Sequence, residues 1–328
     1  MQTIDNFLDR RAFLSLAGAA AVAAALPARA QAYPTRPITI LVPFAPGGPT
    51  DASARVVGRA MSVILGQPVI VENKPGAGGI LGSTQAAQSA PDGYTLLWGG
   101  TSSLAVAPAL YPNVKFSPER SFVPLGLATR GSMMLVGRST FAPNTAREVV
   151  AYAKTQELKM GNGGSGSLAH LAAEYFREQA KIRTINIPYR GGGPALVDLL
   201  GGVLDCVFDN TAFLAQHVKS GKLKPYAVTG RERHKDFPDV PTVAEVLGVD
   251  FEVYSWFGLF APSATPAPVL STLSIAMAKA NFDTEVRKAL ISAGLEPTGV
   301  QPSEAARIVS ADYHQFEGII KRAKITTN

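Results

Sequence analysis

The chain is 328 residues long, 46% hydrophobic and 17% charged, with 31 basic against 25 acidic side chains and a net charge of +6. The basic residues are dispersed among acids rather than clustered, which argues against a nucleic-acid-binding surface and favours anionic ligands only weakly. The one cysteine, Cys206, excludes an intramolecular disulfide. Its setting, Val203-Leu204-Asp205-Cys206-Val207-Phe208, reads as a buried strand, so a core thiol is expected rather than a nucleophile.

The first 32 residues read as an export leader rather than as part of the fold. Arg10 and Arg11 precede an alanine-rich apolar run from Leu16 to Leu26, then Pro27 and Ala28-Arg29-Ala30, the three-part layout of a secretory signal. The run is too short to span a bilayer, which takes about 20 residues. Asp9-Arg10-Arg11-Ala12-Phe13-Leu14 is similar to a twin-arginine signal, departing from it at Asp9 and Ser15. Cleavage fits after Ala30 or after Ala32. The leader holds three arginines against two aspartates, so the remaining 296 residues carry +5, and their length suits two domains.

In the mature chain, short apolar strands alternate with glycine-rich loops and helices. Ile38-Thr39-Ile40-Leu41-Val42 is β-branched and stopped by Pro43. A helix is expected from a cap at Thr50 or Asp51 to about Leu65, with Gly58 on its exposed side and Gly66 at its end. Val69-Ile70-Val71 and Tyr94–Trp98 read as the next strands, separated by a helix to about Ser89, and Gly99–Ser103 reads as loop. A second series begins near residue 132. It comprises a strand over Met133–Gly137, a capping box at Thr145–Glu148, and a strand at Leu158–Met160. A helix from Leu168 to about Ala180 follows, then a strand at Thr184–Pro188, a helix through Leu200, the Cys206 strand, a strand at Pro225–Thr229, and a second capping box at Thr242–Glu245. Ser255–Ala261 is another strand, and helices start near Ala267, Thr284 and Ser303. The alternation predicts an α/β architecture with largely parallel sheets. Two lobes are expected, residues 33–131 plus 253–328 and residues 132–252, with the helical tail folded back on the first.

Four glycine-rich loops, at 44–50, 76–79, 161–167 and 190–193, fall between strand end and helix start. Ligands bind there in open α/β sheets. The unsatisfied N–H groups of a helix start and its dipole favour an anion, and glycine admits close backbone approach. Two such loops in each series suggest a carboxylate held from both sides. The enzyme alternatives are weaker. Gly76, Gly78 and Gly82 give a Rossmann-like spacing, but Trp98 and Gly99 stand where a ribose-binding acid belongs. Gly163-Gly164-Ser165-Gly166-Ser167 lacks the last glycine of a nucleophile elbow. Ser167 and His170 read as a helix-start serine and a loop-bracing histidine, and His217, His234 and His314 lack metal-ligand spacing.

Several segments together resemble one family. Pro43–Asp51 with Ala54-Arg55, and Asn73–Gly79, are similar to the two signatures of the Bug family, periplasmic receptors of tripartite tricarboxylate transporters. Gly164–Ser167 with His170, Pro188–Gly191 with Pro194-Ala195, Asp198–Gly202 with Asp205, Pro238–Thr242 with Glu245, and Trp256-Phe257-Gly258 extend the match across the mature chain. The resemblance implies a type II periplasmic binding protein fold, with two crossovers, a hinge and a ligand cleft between lobes. It implies no catalysis, no cofactor and no metal. The ligand would be a small carboxylate (a dicarboxylate, amino acid or aromatic acid) held largely by backbone N–H groups and water. The partner would be a membrane permease, and the receptor a periplasmic monomer. By position, Phe44, Ala45, Gly47 and Gly48 would line one wall, extended by Gly79, Thr101 and Ser102. Ser165, Gly166 and Ser167 would face them, with Tyr189 and Asp209 at the rim. Asp51 and His170 would stabilise loops, and Arg190 would serve its loop or the surface, with direct ligand contact as the alternative. A ligand sensor without a transport role, and less readily an α/β hydrolase or nucleotide enzyme, are the alternatives.

Overall fold

The computed structural model describes residues 33–326, so the expected leader lies outside the described residues. The chain divides into two compact units, Met1–Thr35 and Arg36–Asn328, and all secondary structure of the described residues lies in the second.

β1 (Ile38–Val42) is buried at every position but Thr39, as a strand covered on both faces requires. It pairs in parallel with β2 (Val69–Asn73) and β3 (Thr95–Gly100). The intervening helices are α1 (Pro49–Leu65) and α2 (Ile80–Ala87). α1 begins one residue before the expected caps. Pro49 at its first position has no N–H to satisfy and a φ already set for helix, so Gly48 becomes the N-cap and Thr50 and Asp51 fall inside the first turn. The helix buries Ala54, Val57 and Met61 and exposes Arg55 and Arg59. Gly58 lies on the buried side, not the exposed one: a Cβ there would rest 3.5–3.7 Å from Val69, Val71 and Ile40. Gly99 and Gly100 belong to β3 rather than to a loop. They are glycines because Cβ atoms would meet Leu104 and Phe257. A π-type turn over Ser102–Val106 leads into α3 (Ala107–Leu110).

β4 (Phe122–Arg138) is 17 residues long, where only its last third was expected. Next come α4 (Ala146–Thr155), β5 (Leu158–Asn162), α5 (Leu168–Ala180), β6 (Thr184–Pro188), α6 (Gly192–Leu200), β7 (Cys206–Asn210), α7 (Thr211–Lys219), β8 (Leu223–Val228), α8 (Val243–Leu247) and β9 (Tyr254–Pro262). The chain closes with α9 (Ala267–Phe282), α10 (Thr284–Ser292), β10 (Pro297–Val300) and α11 (Pro302–Ala323). α7 and β10 were not anticipated. The capping box at Thr242 and Glu245 forms in full. At Thr145 only half forms, because Glu148 accepts from Asn144 N instead of the cap residue.

The sheets are mixed rather than largely parallel. β5 pairs in parallel with β6 and β7, but β4 and β9 run antiparallel to their neighbours. β4 changes partners partway along. Phe122–Ser132 pairs with β9, and Met133–Arg138 pairs with β7 and β8. One strand thus belongs to a β2-β1-β3-β9-β4 sheet at its start and a β4-β7-β5-β6 sheet at its end. Thr229 ties this crossing to the return crossing: its hydroxyl accepts from Met133 N (2.9 Å) and donates to Val253 O (2.6 Å). The tail returns to the first sheet, where α11 buries Val309, Phe316 and Ile319 and Asp312 accepts from Trp256 Nε1 at 2.7 Å. Cys206 is fully buried, and burial pushes its thiol well above the ordinary range, which excludes a reactive thiolate. Among the described residues no helix is long and apolar enough to cross a membrane.

Candidate functional site

The glycine-rich loops converge on two adjoining cavities. The inner one, about 70 Å³, is bounded by Phe44, Ala45, Gly48, Pro49 and Thr50 on one side and by Gly163, Ser167, Leu168, Ala169, Gly191, Gly192, Asp209 and Asn210 on the other. Ser102, Met133, Ser255 and Phe257 close it. The outer one, about 510 Å³, shares Phe44 and Gly163 with it and is lined by Pro75–Gly79, Tyr111, Gly164, Ser165, Tyr189 and Arg190.

Of the residues expected in the site, Phe44, Ala45, Gly48, Ser102, Ser167 and Asp209 border the inner cavity, and Gly79, Ser165 and Tyr189 border the outer. Gly47, Thr101 and Gly166 border neither and shape the walls instead. Gly47 N donates to Asp51 Oδ2. Thr101 Oγ1 accepts from Trp256 N at 2.9 Å, spent between β3 and β9. Gly166 N donates to His170 Nδ1 at 3.2 Å, and its φ of 79° together with Tyr111 against it suits only glycine.

Asp51 fastens the first wall. Its carboxylate accepts from Gly47 N, Arg55 and Asn73 Nδ2, and Asn73 Nδ2 also reaches Phe44 O. Burial alone would raise the carboxyl's pKa. The hydrogen bonds from Arg55, Asn73 and Gly47, with the Arg55 charge, outweigh it and hold the group below its ordinary value. His170 braces the opposite wall. Burial lowers its pKa against the opposing pull of Glu174, so the ring is neutral at pH 7 and Nδ1 is free to accept from Gly166. The two walls touch directly: Leu168 N donates to Ser102 Oγ (2.9 Å) and Tyr111 Oη to Ser165 O (3.0 Å).

The first-turn amides show what the cavity offers. In α5, Leu168 N is taken by Ser102 Oγ, His170 N by Ser167 Oγ and Leu171 N by Ser167 O, which leaves Ala169 N. In α1, Pro49 has no N–H and Ala52 N is taken by Gly48 O. Gly48 N and Thr50 N have no acceptor among the described residues. At the start of α6, Gly191 N and Gly192 N likewise have no acceptor among the described residues, and all five of these amides belong to residues on the inner cavity, at helix starts that favour negative charge. Thr50 closes the 44–50 loop expected to cradle an anion without being named as a contact, and Ala169 was not expected in the site. Both are first-turn residues directly after glycine loops, and that position is the signal that marks them. Asn210 and Met133 gave no such signal. The loop at 76–79 closes on itself, with Gly79 N donating to Gly76 O. It acts as a wall, and a Cβ on Gly78 would stand 2.9 Å from Ser165 O. Tyr189 donates to Asp198 at 2.6 Å; burial first, then that carboxylate, raises the phenol to about 12.

Two mixed sheets joined by one long crossing strand, with helix starts converging on a cleft between them, define a two-lobed binding protein. The solved structures agree. The periplasmic binding protein BugD is 36% identical, with a TM-score of 0.83 over 90% of this chain and 99% of that one. A Rhodopseudomonas palustris protein solved with adipate is 29% identical, with a TM-score of 0.83 over 90% and 99%. MatC from the same organism, with bound malate, is 34% identical, with a TM-score of 0.80 over 88% and 100%. BugT of Bordetella pertussis is 34% identical over 94% of each chain, and an Agrobacterium vitis protein is 40% identical over 89% of this chain and 85% of its own. Residues 53–325 match the tripartite tricarboxylate transporter family receptor, and the chain belongs to that family, with its type II periplasmic binding protein fold.

Proposed function

We propose that this chain is a reversible receptor that closes on a small organic carboxylate and hands it to a membrane permease of the tripartite tricarboxylate type. The observation that carries the reading is the convergence of unpaired helix-start amides, those of Gly48, Thr50, Ala169, Gly191 and Gly192, on one cavity with no Lys or Arg side chain in its described lining. Such a cradle suits a carboxylate and supplies neither a nucleophile–base pair nor a metal-ligand cluster. The relatives holding adipate and malate support the ligand class. In this reading the lobes are residues 33–131 plus 253–328 and residues 132–252, hinged where β4 changes sheets and where the chain returns between Thr229 and Val253. Phe44, Ala45, Gly48, Ser102, Ser167 and Asp209 meet the ligand, while Gly47, Thr101, Gly166, Asp51 and His170 hold the walls. The leader at 1–32 directs a monomeric mature protein to the periplasm.

A thermal-shift screen of carboxylates, amino acids and aromatic acids tests the reading. A ligand at 100 times its Kd raises stability by about 2.7 kcal/mol, and mass spectrometry must return it unchanged. A panel without a single stabilising acid, or a product formed in proportion to protein, refutes it.

A further inference from the structure

The turn between α10 and β10 is fixed to the first sheet and presses on the second. β10 pairs with β4, Pro297 opposite Thr129 and Val300 opposite Leu127, and Glu296 O accepts from Arg130 N at 3.1 Å. Two residues earlier, Gly294 meets the start of α7. Its φ is 73°, and a Cβ there would stand 2.7 Å from Phe213 Cα and 2.9 Å from Ala212 O. The Glu296 side chain fills the space beside Gly131, where a Cβ would collide with its carboxylate. Gly131 lies on β4 two residues before Met133, where that strand takes its partners from the second sheet.

The Glu296 carboxylate ends at His234. This imidazole is buried and packs with the second sheet: its ring lies 5.8 Å from that of Phe237, which shares a core with Met134, Val136 and Leu214. His234 Nδ1 accepts from Asp236 N (3.1 Å), which leaves Nε2 as the ring's N–H. Nε2 stands 3.4 Å from Glu296 Oε1 and has no hydrogen bond to any other of the described residues. That is the outer limit of a hydrogen bond, so further separation leaves a buried donor unpaired, which is costly. Backbone contact at Gly294 thus blocks closer approach, and the Nε2–Oε1 contact resists withdrawal. The turn fits one angle between the sheets, the angle at which Leu168 meets Ser102 and Tyr111 meets Ser165 across the cleft.

Resting on the lobe closure of the reading above, we infer that the 293–296 turn is an interlobe clasp that favours the closed receptor, with Glu296 a positioning residue that acts through His234. Neither residue lines the inner or the outer cavity. The clasp therefore raises affinity from outside the site, by adding to the population of the form that a ligand selects.

The test reads the angle between the lobes in the ligand-free mature protein. Spin labels are placed on Arg59→Cys and Val197→Cys, exposed positions one in each lobe, with Cys206 buried and so left unlabelled, and pulsed dipolar spectroscopy gives the distance distribution. The short-distance component should fall at least threefold in Glu296→Ala and in His234→Leu, fall no further in the double variant, and return in Glu296→Gln, which keeps an acceptor. Calorimetry with malate and adipate as probes should show a Kd at least threefold higher in Glu296→Ala. A lower urea midpoint with an unchanged distance distribution makes the contact merely structural and overturns the inference. Additive losses in the double variant, or a wild-type protein with no short-distance component, also overturn it. If the distances shift as expected while malate, adipate and every other acid of the screen fail to bind, the receptor reading fails and the clasp stands.

Discussion

Replacing Asp209 by Asn should stabilise the empty protein at neutral and alkaline pH. The carboxyl has a pKa of about 6 in the folded chain against an ordinary 3.8. Because the folded pKa is the higher one, folded protein binds a proton between about pH 4 and 6 that unfolded protein does not. Stability from this group is therefore fully present below pH 4 and is lost as pH rises through 6. The difference between these two values, caused by burial of the charged form, corresponds to a ceiling of about 3 kcal/mol. Asp209 keeps part of its surface on the cavity, which brings the expected gain to about 1–3 kcal/mol. Asn has the same shape and carries no charge to desolvate. Urea denaturation followed by tryptophan fluorescence suits the measurement, since Trp98 and Trp256 are fully buried. The midpoint should rise near pH 8 and coincide with wild type near pH 4. Equal midpoints at pH 8, or a loss there, would refute the reasoning, because Asp209 would then be either well solvated or paired in the empty protein.

Other parts of the cleft give further expectations. At Gly48 the backbone is in an ordinary extended conformation and a Cβ would meet nothing within 4 Å, so Gly48→Val should fold normally yet weaken carboxylate binding at least tenfold in calorimetry, about 1.4 kcal/mol. Gly78 has φ 63°, so Gly78→Ala should cost about 1–2 kcal/mol of stability, read as a lower urea midpoint; its Cβ would also stand 2.9 Å from Ser165 O, so ligand binding and ligand-induced compaction in small-angle scattering should both weaken. Thr229→Val leaves the buried Met133 N–H without its side-chain acceptor and should cost about 1–3 kcal/mol of stability, read as a lower urea midpoint. Changing Arg10 and Arg11 together to Lys should leave precursor in the cytoplasm if export follows the twin-arginine route, and normal periplasmic accumulation would exclude that route.

Much of the architecture can be read from the sequence because it is local. Leu168 to Ala180, Thr184 to Pro188 and the Thr242 capping box fall where periodicity and caps place them. The Asp51 and His170 braces act within four residues of their own loops. What escapes the sequence is set by distant partners. Residues 122–132 of β4 contain Pro124 and Gly126, which weaken a strand signal, and that segment is a strand because β9 pairs along its whole length. α7 opens directly from β7 without a side-chain cap, so no start signal precedes it. Gly58 resembles a surface glycine until β2 is laid against it.

The passage between the two sheets is the clearest case of structure carried by distant pairing. Thr101, Ser132, Thr211 and Thr229 are ordinary hydroxyl residues in the chain, and all four are nearly or fully buried in the fold. Thr229 joins positions 96 residues back and 24 ahead, while Thr101 joins β9 from 155 residues away. Ser132 and Thr211 bond each other beside the point where β4 changes sheets. The threonine hydroxyls, one of them bonded by Ser132, each supply an acceptor or donor for a backbone group at or beside a crossing, where the regular ladder is interrupted and a buried polar group is costly to leave unpaired. A hydroxyl can keep such a group satisfied while two sheets change their relative angle, because a side-chain bond depends on one rotor and not on strand register. Valine has nearly the same shape as threonine and lacks only this bond. Thr229→Val therefore separates the two contributions: a loss of stability with an unchanged core would place the cost in the hydrogen bond at the crossing itself.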